Sequence, residues 1–351
     1  MTKRPNILFI CGSINQTTQM HQIAQQLPEA THWFSPYYAD GFTDWLRRAG
    51  LAEMSVLGDK HRNRCLGYLK LHDLAIDDGG KRNDYDLVVT CSDLVIPTNL
   101  LDKRVVLVQE GMTDPEEFWY HVVKTFRFLP RWLASTSTTG LSHSYDRFCV
   151  ASEGYRQLFI RKGVTPAKIA VTGIPNFDNM RRFLDNDFPH RHFVLVCTSD
   201  SRETFKFENR KAFILDAVRI ANGRQLIFKL HPNENFSRAT REINRWAPGA
   251  LVYTSGSAEH MIANCSVLIT KYSSTVYVGI ALGKEVYSWF DLDELRSQCP
   301  DQHGRAAQNI AAVCREVLGA PATARNEPRK SLLPNPVKQL ATVIAGRLFS
   351  S

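Results

Sequence analysis

Lys271-Tyr-Ser-Ser-Thr275 sets small hydroxyl residues directly after the apolar run Ser266-Val-Leu-Ile-Thr270 and at the head of a helical stretch reaching Leu282. Unpaired backbone N–H groups, hydroxyl donors and the positive end of a helix dipole meet at such a point and suit a diphosphate. The same residues also make a plain helix cap, with Ser273 as the capping side chain and Ser274 and Thr275 in the first turn. Lys271 adds a cation at the same place. Leu230-His231-Pro232-Asn233 ends another apolar run. His231 could donate to a phosphate oxygen or take part in catalysis, although a His-Pro pair is also an ordinary loop. Thr198-Ser199-Asp200-Ser201-Arg202 follows a third run, where Thr198 could contact a ligand and Arg202 could neutralise a phosphate. Thr254-Ser255-Gly256-Ser257, with Glu259 and His260, is a helix entry that falls where a nucleobase would lie, and Ser255 is its candidate contact.

The first half of the chain offers a second group. Gly12-Ser13 turns a strand into a helix and could bring backbone N–H groups to an anion, but it lacks the Gly-x-Gly-x-x-Gly spacing of a dinucleotide site. Asp93 and Glu110 each follow an apolar run on its carboxyl side, where a carboxylate could serve as general base; capping or loop ion pairing is the competing role. Phe126-Arg-Phe-Leu-Pro-Arg-Trp-Leu133 mixes aromatics with cations, a pattern suited to a membrane interface or lipid acceptor as well as to a buried loop.

The elements that must hold these residues alternate along the chain. Strands are expected at Ile7–Cys11, Tyr85–Thr90, Arg104–Gln109, Arg147–Ala151 and Lys168–Thr172. A second series falls at His192–Cys197, Gln225–Leu230, Ala250–Tyr253, Ser266–Thr270 and Glu285–Trp289. Helical patterns intervene; one opens at Pro115 and another runs from Glu153 to Lys162 and stops at Gly163. This alternation predicts an α/β protein with two Rossmann-like, doubly wound parallel sheets. The expected domains are 1–187 for an acceptor and 188–325 for a nucleotide, followed by a linker and a terminal helix over 326–351 that packs back across the junction. A length of 351 residues, 44% hydrophobic and 22% charged, allows two ordinary cores. The net charge of +8 favours anionic partners. The basic residues are scattered in pairs, however, so nucleic acid is not expected. None of the eight cysteines forms a Cys-x-x-Cys pair, which points to free thiols in a reducing, cytoplasmic setting rather than disulfides or zinc. No stretch approaches about 18 apolar residues, which argues against a membrane span while leaving peripheral contact open.

Several of these segments resemble known families. Asp146–Asp178 is similar to the stretch leading into the second domain of the non-hydrolysing UDP-N-acetylglucosamine 2-epimerases, and Gln109-Glu-Gly-Met112 is similar to their Glu-Ala-Gly-Leu. Thr270-Lys-Tyr-Ser-Ser274 is similar to the Thr-Asp-Tyr-Ser-Ser of CDP-glycerol glycerophosphotransferases, and Ala281-Leu-Gly-Lys284 fits both families. The resemblance covers most of 85–290 and implies the GT-B architecture. There are departures. Ser199-Asp-Ser-Arg-Glu203 lacks the epimerase histidine, Gln109 stands where the epimerases carry glutamate, and Tyr277 and Val278 stand where they hold the ribose with glutamates.

The resulting expectation is a metal-independent glycosyltransferase, or closely related transferase, with a UDP- or CDP-type donor as substrate and no further cofactor. Glu110, Asp93 and His231 are the catalytic candidates. Ser273, Ser274, Thr275, Lys271, Arg202, Thr198, Ser255, Gly12 and Ser13 are the nucleotide-binding ones. The expected acceptor is a cell-envelope lipid or polysaccharide, and a homodimer is allowed for. The alternatives are a UDP-N-acetylhexosamine 2-epimerase, a CDP-glycerol-type polyol-phosphate transferase and an inactive nucleotide-sugar-binding protein.

Overall fold

The computed structural model describes residues 4–36, 59–94, 97–126, 129, 131–199, 201–203, 208–271 and 273–320. Asp200, Tyr272, the expected helix beyond residue 336, and Arg127, Phe128 and Pro130 of the Phe126–Leu133 stretch therefore lie outside the described residues. Two compact units emerge: Met1–Asn176 with the chain from Arg305 on, and Phe177–Gly304. The expected break at 187/188 thus falls at 176/177. The helix following residue 304, expected in the second domain, belongs to the first.

In the first unit six parallel strands run in the order β2-β1-β3-β4-β5-β6. They are β1 (Asn6–Ile10), β2 (Thr31–Ser35), β3 (Leu87–Thr90), β4 (Val105–Val108), β5 (Arg147–Val150) and β6 (Ile169–Val171). The central strands are buried on both faces, which is why they read as unbroken apolar runs. Helices α1 (Ile14–Ala24), α2 (Asp59–Leu71), α3 (Phe118–Thr125), α4 (Glu153–Lys162) and a late-arriving helix, Ala306–Gly319, complete the unit. Ile310, Ala311, Cys314 and Val317 of that last helix join Ile7, Phe9, Met20 and Val106 in one core cluster.

The second unit repeats the plan with five parallel strands in the order β11-β10-β7-β8-β9. They are β7 (Val194–Cys197), β8 (Leu226–Lys229), β9 (Leu251–Tyr253), β10 (Val267–Thr270) and β11 (Glu285–Tyr287). Helices α5 (Arg210–Ala221), α6 (Phe236–Trp246), α7 (Ala258–Asn264), α8 (Thr275–Ala281) and α9 (Leu292–Gln298) connect them, and α10 denotes the returning Ala306–Gly319. Side-chain caps set most of the helix starts: Asn209 accepts from the Ala212 N–H at 3.1 Å, Asn235 from Arg238 at 3.0 Å and Ser257 from His260 at 3.2 Å. All eight cysteines carry free thiols, seven of them buried. Among the described residues no helix is long and apolar enough to cross a membrane.

Candidate functional site

Each sheet reverses its strand order once. The first does so between β1 and β3, and the second between β7 and β10. In open parallel sheets, ligands bind in the crevice outside the carboxyl ends of the two strands at such a reversal. In the second unit Cys197 is in register with Thr270, so Thr198 and Lys271 leave the sheet side by side. Cys197 is also in register with Lys229, which brings Leu230 and His231 to the same edge.

His231 is tightly bound there through its backbone. Its N–H points between Thr198 Oγ1 at 3.0 Å and a Glu234 carboxylate oxygen at 2.9 Å. The Asn233 N–H donates to His231 Nδ1 at 3.3 Å, so in the neutral ring the proton sits on Nε2. Glu234 is buried and also accepts from the Thr198 hydroxyl and from Arg210 Nη2, the latter at 2.6 Å. Arg210, itself buried, forms a second ion pair of 2.6 Å with Glu208, whose carboxyl is pushed above its ordinary range by burial. Lys229 is buried at the end of β8, donates to the Leu230 carbonyl at 3.0 Å, and is held below the usual lysine range by desolvation. Arg202 lies farther out and is bound bidentately by Glu242 at 2.9 and 2.8 Å.

The Lys271–Thr275 segment differs in detail from expectation. The capping position of α8 is Ser274, not Ser273, and Ser274 makes no side-chain cap bond. Ser273 Oγ instead lies 2.9 Å from the Thr275 hydroxyl and accepts the Thr275 N–H at 3.4 Å. The Val276 and Tyr277 N–H groups bond back to the carbonyls of Ser273 and Ser274 at 3.1 Å each. Lys271 Nζ sits 5.3 Å above the ring of half-exposed Trp289. Ser255 is exposed beyond β9. Tyr277 and Val278 are both buried, so neither reaches a ribose.

In the first unit, Gly12 leads into α1, whose capping residue Ser13 accepts the Gln16 N–H at 3.1 Å and donates to Glu110 at 2.9 Å. Gln16 Nε2 donates to the other Glu110 oxygen at 2.6 Å. Burial raises the Glu110 carboxyl above its ordinary range despite these two donors, so it exchanges a proton closer to neutrality than a solvated glutamate. Gln109 is a brace: its Nε2 donates to the Gly111 carbonyl at 2.8 Å and its Oε1 accepts from Ala151 N–H at 2.9 Å. Asp93 also faces inward. Its carboxylate accepts from Arg131 at 3.0 Å and from the Gly140 and Ser142 N–H groups at 3.1 Å each. It is 1% exposed, so its oxygens fasten the 131–142 loop rather than meet a substrate hydroxyl.

The second sheet's edge therefore gathers Thr198, His231, Lys271, Ser273 and Thr275, while the first unit brings Ser13 to Glu110. Glu234, Arg210, Lys229 and Gln16 were not singled out in the sequence. The one available signal was Glu234, three residues after His231, at the spacing of a reciprocal turn.

No protein-family model matches the sequence, and no curated protein matches it. Solved structures do resemble it. A Listeria monocytogenes protein described as a UDP-N-acetylglucosamine 2-epimerase is 14% identical, with a TM-score of 0.58 over 100% of this chain and 98% of that one. The Neisseria meningitidis UDP-GlcNAc 2-epimerase bound to UDP-GlcNAc is 12% identical, with a TM-score of 0.54 over 99% and 100% of the two chains. The Methanocaldococcus jannaschii UDP-GlcNAc 2-epimerase, in complex with UDP-GlcNAc and UDP, is 12% identical, with a TM-score of 0.51 over 97% and 99%. At these identities the likeness establishes the fold: two Rossmann-like units of the GT-B type.

Proposed function

We propose that the carboxyl edge of the second sheet binds the diphosphate of a nucleotide-activated sugar, and that the chain is an enzyme acting on that sugar. The observation carrying this reading is the reversal between β7 and β10, with Thr198 on one side, Ser273 and Thr275 on the other, and His231 one strand away. UDP is the favoured nucleotide, because two of the full-length structural neighbours hold UDP-GlcNAc.

For the reaction, epimerisation at C2 is the leading reading. It is supported by likeness along the whole chain to epimerases and by two groups fit for proton exchange. In the first unit burial raises the Glu110 carboxyl, and in the second the neutral His231 ring carries its proton on Nε2. Transfer of the sugar, or of a polyol phosphate, to a lipid-linked or glycan acceptor is the second reading. Gln109 favours it, being a fixed brace where the epimerases carry glutamate. So does the outward face of α3, where Phe118 is 70%, Trp119 53% and the following Phe126 51% exposed, a surface suited to peripheral contact with a lipid. Neither reading calls on a metal, so EDTA should leave turnover unchanged.

The test has two stages. In a thermal-shift panel of UDP-, CDP-, GDP- and TDP-sugars, one nucleotide should raise Tm, and Ser273→Ala/Ser274→Ala should remove the shift. No shift with any nucleotide would reject the proposal. The protein is then incubated with UDP-N-acetylglucosamine in D2O without an acceptor. Conversion to the C2 epimer with deuterium at C2 supports epimerisation, whereas turnover only on adding an acceptor supports transfer.

A further inference from the structure

We propose that Gln16 is a positioning residue whose side-chain amide turns end for end as Glu110 gains and loses a proton; this rests on the reading of Glu110 as a proton-exchanging carboxyl. Ser13-Ile-Asn-Gln16 has the sequence of a capping box. In that motif the serine caps the N–H three residues on, and the glutamine oxygen reaches back to the serine N–H. Only the first half is made. Ser13 Oγ accepts the Gln16 N–H at 3.1 Å, but Gln16 Oε1 is buried without a hydrogen-bond partner among the described residues. The amide turns instead to Glu110. Gln16 Nε2 donates to Glu110 Oε2 at 2.6 Å, while Ser13 Oγ donates to Glu110 Oε1 at 2.9 Å.

An amide held at one end only can reverse. A half-turn about its last torsion exchanges nitrogen and oxygen, and breaks no bond other than the one to Glu110. With Glu110 ionised, the Gln16 nitrogen donates to the carboxylate. With a proton on Glu110 Oε2, the turned Gln16 oxygen accepts it, and Ser13 continues to donate to Glu110 Oε1. Both protonation states keep two contacts. Two neighbours lack this freedom. Gln109 is held at both ends, by the Gly111 carbonyl and the Ala151 N–H. Asp93 faces a guanidinium and two backbone N–H groups, fixed donors that suit only a carboxylate. Among the described residues no cation meets the Glu110 carboxyl. The titratable groups that feel its charge are the thiols of Cys65 on α2 and Cys91 after β3, and burial keeps both protonated. A carboxyl that is charged in one step and neutral in the next needs a partner of either polarity, and Gln16 supplies one.

The experiment follows the side-chain carbonyl 13C signals of Glu110 and Gln16 in the full chain between about pH 4 and pH 8, assigned through the backbone. Both should titrate with one midpoint above the ordinary glutamate value. On the acid side the Gln16 carbonyl should move downfield, because it then accepts the Glu110 O–H. Gln16→Met keeps the length of the side chain and removes the amide. It should raise the Glu110 midpoint, since the charge-assisted contact to the carboxylate is the stronger of the two it loses. In the D2O assay with UDP-N-acetylglucosamine, kcat for deuterium incorporation should fall at least about tenfold, with KM within about twofold. A Gln16 carbonyl that stays put or moves upfield as Glu110 takes its proton would overturn the proposal. So would Gln16→Met with the wild-type midpoint and kcat. Should that variant fail to fold, the wild-type titration decides alone. Should wild type incorporate no deuterium, the epimerisation reading fails, and the paired titration still decides whether Gln16 turns with Glu110.

Discussion

Two carboxylates of the first unit show how surroundings divide labour between chemically identical groups. Asp93 and Glu110 both follow a strand, and nothing in their immediate sequence separates a base from a brace. Asp93 meets a guanidinium and two N–H groups and becomes a fastening. Glu110 meets two neutral donors, Ser13 and Gln16, and burial keeps its proton affinity high. This has a consequence for stability. With the folded pKa above the unfolded one, the native state binds more protons between the two values, so stability falls as pH rises through that window and levels off above it. Glu110→Gln removes the buried charge. It should therefore abolish turnover yet gain stability relative to wild type at pH 8, with the advantage shrinking as pH drops toward 5. Urea midpoints at the two pH values check this; a constant difference would mean that the carboxyl is not perturbed. The proton affinity of Glu110 was not legible in the sequence, because it depends on residues 94 and 97 positions away.

At the scale of elements, strands buried on both faces were legible and those at the margins were not. β3, β4, β7 and β10 are unbroken apolar runs whose ends agree with expectation to within a residue or two. The edge strand β2, Thr-His-Trp-Phe-Ser, is only half-buried over its first three residues and carries no such run. Helix α3 starts at Phe118 rather than at Pro115. The reason is that Asp114 is tied to Thr136, its N–H and carboxylate both 2.8 Å from the Thr136 hydroxyl, which holds the Asp-Pro pair out of the helix. Helix α8 shows a subtler device. A Cβ on Gly279 would lie 2.7 Å from Leu268 Cδ2 and 3.1 Å from Val286 Cγ2, so the missing side chain lets the helix rest on β10 and β11. Gly279→Val should cost about 2 kcal/mol through overpacking. It should also push α8 off the strand that leads to Ser273, lowering nucleotide affinity with stability. A urea midpoint and m-value equal to wild type would mean that the helix has room to spare.

At the scale of the whole molecule, the chain's path departs most from a linear reading. The sequence pattern of α10 announces an amphipathic helix, but an apolar stripe carries no address. A helix that follows the second sheet is naturally assigned to it. Side chains and caps decide otherwise. Ile310, Ala311, Val313, Cys314 and Val317 are buried in the core of the first unit. Arg104, at the entrance to β4, donates to the helix's terminal carbonyls, to Val317 at 2.7 Å and to Ala320 at 2.6 Å. Arg147 pairs with Glu316 at 3.0 Å, and Arg315 with Glu29 at 2.7 Å. Those surface pairs add little, whereas the buried apolar side chains contribute on the order of 5–10 kcal/mol at about 1–2 kcal/mol each. That rivals the entire net stability of a typical domain. Ending the chain at Gly304 should therefore unfold the first unit and leave the second sheet intact, although every strand of the first sheet would still be encoded. Hydrogen exchange would register this as lost amide protection in β1, β3, β4 and β5, with protection kept in β7, β8 and β10. Equal protection in all seven strands after the truncation would show that the returning helix decorates the first unit instead of completing it.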